Sequence, residues 1–136
     1  MPKDANIAYA WRGEATDLEI ERLHAAAFDH PPTTRAWTAR LRTWSVGWVT
    51  AREEGYLIGF VNVAWDGGSH AFLVDTMVLP ESQGRGIGEA LVRQAARGAR
   101  TSGCDWLHVD FPRTLERFYL DRCGLRPTPA GLLALT

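Results

Sequence analysis

Val78-Leu79-Pro80-Glu81-Ser82-Gln83-Gly84-Arg85-Gly86-Ile87-Gly88 is the stretch on which the reading of this chain turns. Before it, His70 to Leu79 is rich in Val, Leu and Phe and reads as a β-strand, which Pro80 ends by removing a backbone donor. After it, from Gly86 to about Thr101, the apolar positions Ile87, Ala90, Leu91, Ala95 and Ala99 form a helical stripe with Glu89, Arg93, Arg97 and Arg100 mostly off it. Between strand and helix three glycines alternate with other residues. Glycine lets the backbone turn tightly and approach a ligand, and this turn runs directly into a helix N-terminus with unpaired N–H groups and a positive dipole end. Such a turn cradles phosphate. The spacing narrows the family. No G-x-x-x-x-G-K-[ST] string is present, and the dinucleotide fingerprint G-x-G-x-x-G would need glycine where the chain has Glu89. A plain connector would need only one or two glycines.

Outward from this loop the chain reads as one mixed layout. Ile7 to Trp11 is a short strand, and Thr16-Asp17-Leu18-Glu19 has the form of a capping box opening a helix that His30-Pro31-Pro32 ends near Phe28. Thr34 to Thr43 reads as a second helix, with Trp37, Leu41 and Trp44 on a side that either fills the core or lines a pocket. Val46 to Arg52 and Tyr56 to Trp65 flank Glu53-Glu54-Gly55 as a hairpin, and Asp66-Gly67-Gly68-Ser69 is the next turn. Ser102-Gly103 closes the glycine-loop helix. Trp106 to Phe111 is then expected as a strand, Thr114 to Arg122 as a helix ending at Gly124, and Leu132 to Leu135 as a final strand. The order β-α-α-β-β-β-α-β-α-β predicts an α/β, or α+β, mixed sheet: an antiparallel meander followed by a β-α-β crossover with two parallel neighbours.

Composition sets outer limits. A chain of 136 residues is one domain's worth, and 46% hydrophobic with 23% charged residues excludes collagen-like and wholly disordered classes. Fifteen Lys and Arg against sixteen Asp and Glu give a net charge of −1, which offers no global attraction for nucleic acid or an anionic membrane. Cys104 and Cys123 make neither a metal-ligand spacing nor a disulfide framework, so a reducing cytoplasm fits best. Met1-Pro2-Lys3-Asp4 lacks a signal-peptide stretch, and the run Leu57 to Trp65, broken by Gly59 and Asn62, is too short to span a bilayer.

The glycine loop, with Val78-Leu79-Pro80 before it and Gln83-Gly84-Arg85-Gly86-Ile87-Gly88 within it, resembles the core motif of the GNAT superfamily of acyl-CoA-dependent N-acyltransferases. Arg117-Phe118-Tyr119-Leu120-Asp121-Arg122-Cys123-Gly124-Leu125 is similar to that family's aromatic-Tyr helix running into a Gly-apolar turn. The resemblance implies the GNAT fold with a splayed central sheet over a single domain, residues 1–136. It implies acetyl-CoA as co-substrate, its pyrophosphate on the Gln83 to Gly88 loop and its pantetheine arm along main-chain groups of Met77, Val78 and Leu79. Arg85 is a candidate phosphate contact. The implied reaction is acetyl transfer to a primary amine by direct attack in a ternary complex, with a small molecule or peptide as acceptor. Acceptor choice in this family rests largely on the first two helices and their connection, here Phe28 to Arg35, and Trp37, Trp44 and Trp48 suggest either an aromatic wall or core packing. A homodimer is also implied. The alternative is a catalytically silent acyl-CoA-binding or regulatory domain, and a nucleotide-binding enzyme using the same loop is a third reading.

The chemistry asks for a base more than for an acid. An alkyl amine of pKa about 10 is protonated at neutral pH, and freeing its lone pair costs about 4 kcal/mol at about 1.36 kcal/mol per unit, whereas a thiolate of thiol pKa about 8.5 leaves readily. The resemblance makes Tyr119 the acid candidate. Its spacing to Gly124 is one residue longer than the commonest family spacing, an insertion that would turn the ring by about a third of a helical turn. Base candidates are Asp75, Asp110 and His108, with His24 and His70 more distant. Asp75 is an acid inside a β-rich strand, which asks for a reason: substrate contact or a structural hydrogen bond. His108 and Asp110 alternate on one face of the strand expected over Trp106 to Phe111. Their spacing matches no familiar metal set, so no metal site is expected. Oxyanion donors are expected on the backbone near Val78 or Leu79. Cys123, before a helix-ending glycine and without a His partner, reads as a small buried residue rather than a nucleophile.

Overall fold

The structure, a computed structural model, describes residues 6–136; Met1 to Ala5, on which the reading of the N-terminus rests, lie outside the described residues. Five strands form one sheet in chain order: β1 (Ile7–Trp11), β2 (Ser45–Glu53), β3 (Tyr56–Trp65), β4 (His70–Val78) and β5 (Trp106–His108). The first four pair antiparallel and β5 joins β4 parallel, so the expected meander and crossover are both present.

Helices cover both faces. α1 (Asp17–Phe28) starts at Thr16, whose hydroxyl accepts from the Glu19 N–H while the Glu19 side chain accepts from the Thr16 N–H; the capping box is formed as read. α2 (Trp37–Trp44) begins three residues later than expected, because Thr33 and Arg35 are held outside the helix by Glu21 of α1, and the Asp17 carboxylate then takes the Thr38 N–H at 2.8 Å. α3 (Ile87–Thr101) lies on the opposite face. One core cluster joins Val49, Val61, Val63 and Leu73 of the sheet to Ile87, Leu91 and Ala95 of α3, and the other joins Phe60 and Met77 to Ile20, Leu23, Trp37 and Leu41. Each fully buried large aliphatic or aromatic side chain contributes about 1.5–3 kcal/mol by leaving water. Trp37 is therefore core, Trp48 is half-buried under the Arg12 guanidinium, and Trp44 is 68% exposed.

Three expectations are corrected at the C-terminal end. The strand expected over Trp106 to Phe111 ends at His108, because only His70, Ala71 and Phe72 of β4 offer it partners. The helix expected over Thr114 to Arg122 is a 3₁₀ turn, Arg113–Leu115, followed by a π-helical segment, Arg117–Arg122. Leu132 to Leu135 form no strand: Leu132, Leu133 and Leu135 are 81–90% exposed, and an apolar run without a sheet edge beside it stays irregular.

Candidate active site

β4 and β5 part company after three residue pairs. From Leu73 to Val78 the side of β4 away from β3 has no ladder partner among the described residues, which is the splay the resemblance implied. Backbone groups of neighbouring strand residues point to opposite sides. The Leu79 N–H donates to Ile58 O at 2.9 Å, so the N–H and C=O of Val78 face the open edge. Of the two positions expected to supply a backbone donor there, Val78 is the one aimed outward. The Met77 side chain is buried against α1 and α2, and by the same alternation its N–H and C=O face β3, so the open edge is offered by Val78.

A bulge shapes the same stretch. Phe60 pairs with Met77 and Asn62 with Val74, so one residue of β3 faces two of β4, Asp75 and Thr76. Asp75 takes up the kink at φ 56°, in the left-handed region that Asp tolerates better than most side chains. The bulge sends the two side chains to different sides. Thr76 receives the Tyr119 hydroxyl at 3.2 Å, whereas Asp75 faces α1 and α2, with His24 Nε2 3.6 Å from Oδ1 and Arg40 Nη2 3.6 Å from Oδ2.

Tyr119 reaches β4 despite the extra residue before Gly124, and the π-helical winding explains how. Cys123 N–H bonds to Phe118 O and Leu125 N–H to Tyr119 O, so the segment absorbs the added residue as a wider turn instead of rotating the ring away. Phe111 stacks on Tyr119 at 5.0 Å and Phe118 meets it edge-on at 4.8 Å. Burial pushes the phenol above its usual range, which keeps it protonated at neutral pH and able to donate.

Below this edge the glycine loop leads into α3. Gly84 (φ 80°) and Gly86 (φ 79°) both sit in the left-handed region, and a Cβ at either would meet open space. Among the described residues no side chain caps α3 at Gly86, so the amides of its first turn face the loop. Gly88 has a different reason to be glycine, since a Cβ there would stand 3.1 Å from the Phe118 ring. Ile87 is buried in the core, and Gln83 is extended at the turn before Gly84. Arg85 of this loop is engaged by Glu53. Its guanidinium makes a two-pronged pair with Glu53, Nη1 to Oε1 at 3.0 Å and Nη2 to Oε2 at 2.5 Å, which holds the Glu53 carboxyl below its usual range.

The remaining candidates lie apart from this edge. His108 ends β5, bonds His70 at 2.8 Å and stacks on Phe72, while Asp110 is exposed beyond the strand, so the two do not share a strand face as expected. Burial and the Glu89 charge push the Cys123 thiol up to about 11, which leaves it a poor nucleophile at neutral pH. Among the described residues no group of His, Cys, Asp and Glu is arranged to hold a metal ion.

Two features escaped the sequence reading. Glu21 is 1% exposed and accepts from Thr33 N–H at 2.9 Å and Trp37 Nε1 at 2.9 Å, with Arg35 Nε at 3.4 Å; these bonds hold its pKa down to about 2 and pin the α1–α2 connection. An acid on the apolar side of an otherwise amphipathic helix was the available signal. The second is His30, whose Nε2 lies 2.5 Å from His24 Nδ1.

The acetyltransferase (GNAT) family model matches residues 11–125. The chain belongs to the GNAT acetyltransferase family. Among curated relatives of this GNAT chain, the mycothiol acetyltransferase of Nocardia farcinica is 31% identical over 117 residues, which are 84% of this chain and 38% of that protein. The chain thus spans well under half the length of that relative. Solved GNAT structures superimpose over nearly the whole chain. An acetyltransferase of Trypanosoma brucei gives a TM-score of 0.77 at 20% identity, covering 94% of this chain and 98% of its own. An aminoglycoside N-acetyltransferase in complex with CoA gives 0.78 at 17% identity, covering 100% and 98%. At such identities the likeness shows the GNAT fold, and the ligands belong to those proteins.

Proposed function

We propose that residues 1–136 form a single N-acetyltransferase domain that transfers an acetyl group from acetyl-CoA to a primary amine, by direct attack in a ternary complex. One observation carries the reading. A glycine loop with open space at Gly84 and Gly86 runs into an uncapped helix N-terminus directly below a strand edge that has lost its neighbour, and a protonated Tyr119 stands at that edge. The first-turn amides of α3 and the main chain from Gln83 to Gly88 would hold the pyrophosphate, and the open side of β4 would pair with the pantetheine amides as an added strand does. With Arg85 engaged by Glu53, the binding charge falls on backbone amides and the helix dipole. When bound, acetyl-CoA supplies an activated acyl group on a good leaving group.

The chain's own residues supply the rest. The Val78 N–H, on the open edge of β4, donates a hydrogen bond to the acyl oxygen as negative charge develops on it. Tyr119 donates a proton to the departing sulfur. Asp75, on the α1–α2 side of the bulge, attracts the acceptor ammonium. The exposed Trp44 and Phe72 leave that side apolar and accessible to an organic amine or peptide. A cytoplasmic location fits two free cysteines, and no helix among the described residues is long and apolar enough to cross a membrane. A homodimer is part of the same reading, on the family's precedent alone; nucleic acid is not among the partners.

The test is amine-dependent release of free CoA thiol from acetyl-CoA, with mass spectrometry of the amine. Thiol release matched by one acetyl gained per amine supports the assignment. Saturable acetyl-CoA binding without turnover across small amines, peptide N-termini and lysine peptides returns the chain to the silent acyl-CoA-binding reading.

A further inference from the structure

With both histidine rings neutral, the contacts around Asp75 fix where the protons sit. His30 Nδ1 lies 2.8 Å from Pro31 O, a contact that needs an N–H, so in neutral His30 the other nitrogen, Nε2, is an acceptor. His24 Nδ1 lies 2.5 Å from that Nε2, so the proton between the rings belongs to His24 Nδ1. One nitrogen is then unaccounted for. It is His24 Nε2, a bare lone pair 3.6 Å from Asp75 Oδ1. Two lone pairs facing each other at that distance invite a proton donor between them. An amine nitrogen at about 2.9 Å from Oδ1 can stand equally close to Nε2, since the two are only 3.6 Å apart.

We propose that His24 and His30 form a paired proton acceptor for the acceptor ammonium, with Asp75 as the group that holds the amine against His24 Nε2. This deepens the acetyltransferase reading and rests on it. Forming an amide from an ammonium removes two protons from nitrogen as the C–N bond forms and the C–S bond breaks. One ends on the sulfur by way of Tyr119, and the other has to leave the site. His24 Nε2 takes it, the Nδ1 proton passes to His30 Nε2, and the positive charge moves to His30 beside the exposed stretch 31–36, from which water removes it. The groups facing His24 suit this role. Burial holds its pKa below the usual imidazole range, Arg35 and His30 act in the same direction, and Asp75 and Glu21 oppose them, so the ring is neutral at pH 7. Arg40, 4.3 Å over the Trp37 ring, balances the far oxygen of Asp75 without touching the lone pair.

Two measurements on the full chain test the pair. In the first, histidine ring NMR follows pH in wild type, His30→Gln and Asp75→Asn. The expected result is that His24 titrates below the usual imidazole range and that each variant moves its curve. Independent titrations, with His24 unmoved by either variant, overturn the proposal. The second compares acetylation of n-propylamine, which must lose a proton, with that of hydroxylamine, which is already neutral at pH 7. His24→Asn and His30→Gln should slow propylamine acetylation, His24→Asn by roughly 100-fold or more, and the loss with hydroxylamine should be at least about tenfold smaller. Equal losses with both amines, or a wild type that acetylates hydroxylamine alone, overturn it. Calorimetry with acetyl-CoA separates the layers: a folded wild type that binds none refutes the acetyltransferase reading itself, whereas normal binding with uncoupled histidines refutes only the pair.

Discussion

Gly86 offers the sharpest separation between strain and ligand binding. At φ 79°, with nothing within 4 Å of an added Cβ, Gly86→Ala meets no clash and pays only for the left-handed backbone, about 1–2 kcal/mol. For a domain of this size that lowers Tm by roughly 3–8 °C. Gly67, at φ 82° in the β3–β4 turn with equally open surroundings, makes the matched control, so Gly67→Ala should lower Tm by a similar amount. Gly86→Asp adds charge to the same strain. Two unit charges 4 Å apart interact by about 4 kcal/mol at an effective dielectric of 20, and halving this for exposure and salt leaves about 2 kcal/mol, or roughly 30-fold in Kd. Calorimetric titration with acetyl-CoA beside thermal melts reads both quantities. Gly67→Ala should bind as wild type does, Gly86→Ala more weakly, and Gly86→Asp at least about 30-fold more weakly. A folded Gly86→Asp that keeps its affinity within about twofold would refute the placement of the pyrophosphate on this loop.

Other perturbations reach other parts of the argument. Tyr119→Phe removes the hydroxyl that meets Thr76 and should lower kcat by about tenfold to 100-fold with little change in acetyl-CoA affinity; an unchanged kcat across pH removes the acid role. The carboxyls of Glu19, held by Arg52, and Glu21, held by the Thr33 N–H and the Trp37 indole, have folded pKa values of about 2, below their unfolded values. Their stabilisation is therefore complete above about pH 5 and is lost as pH falls toward 2, and Glu21→Gln should flatten that acid limb in urea titrations at stepped pH. Gly98→Ala would drive a Cβ to within 2.4 Å of the Trp11 indole, which Gly47 crowds from the other side; overpacking of this kind costs about 1–3 kcal/mol, and an unchanged urea midpoint would contradict the packing described.

The parts of this fold carried by local chemistry were legible in the sequence. The capping box at Thr16 and Glu19, the hairpin around Gly55 and the glycine loop each owe their shape to residues a few positions apart, and all three stand where they were read. What the sequence hid depends on distant partners. The β4 bulge exists because Phe60 and Asn62 impose a register that Val74 to Met77 must fit with one residue too many, and no propensity of Asp75 or Thr76 announces it. β5 stops at His108 for want of an edge, which separates His108 from Asp110, and Leu132 to Leu135 have the composition of a strand without a neighbour to pair with. The Tyr119 to Gly124 spacing was visible as an anomaly, but its resolution as a π-turn required knowing that Tyr119 is anchored by Phe111 and Thr76. The same limit applied to the acceptor side. His24 and Asp75 were visible as candidates, while Glu21 and His30 acquire meaning only when the α1–α2 connection folds back over α1.

The most direct test of the central claim is a titration of the uniformly ¹⁵N-labelled chain with acetyl-CoA, followed through its backbone amides. The account predicts saturable shifts at Gly84, Gly86 and Gly88 and along the open edge of β4 at Val78, with the turn at Gly67 and Gly68 unmoved. Shifts confined to the α2 surface around Arg35 and Trp44, or no saturable shift in a folded protein, would contradict it.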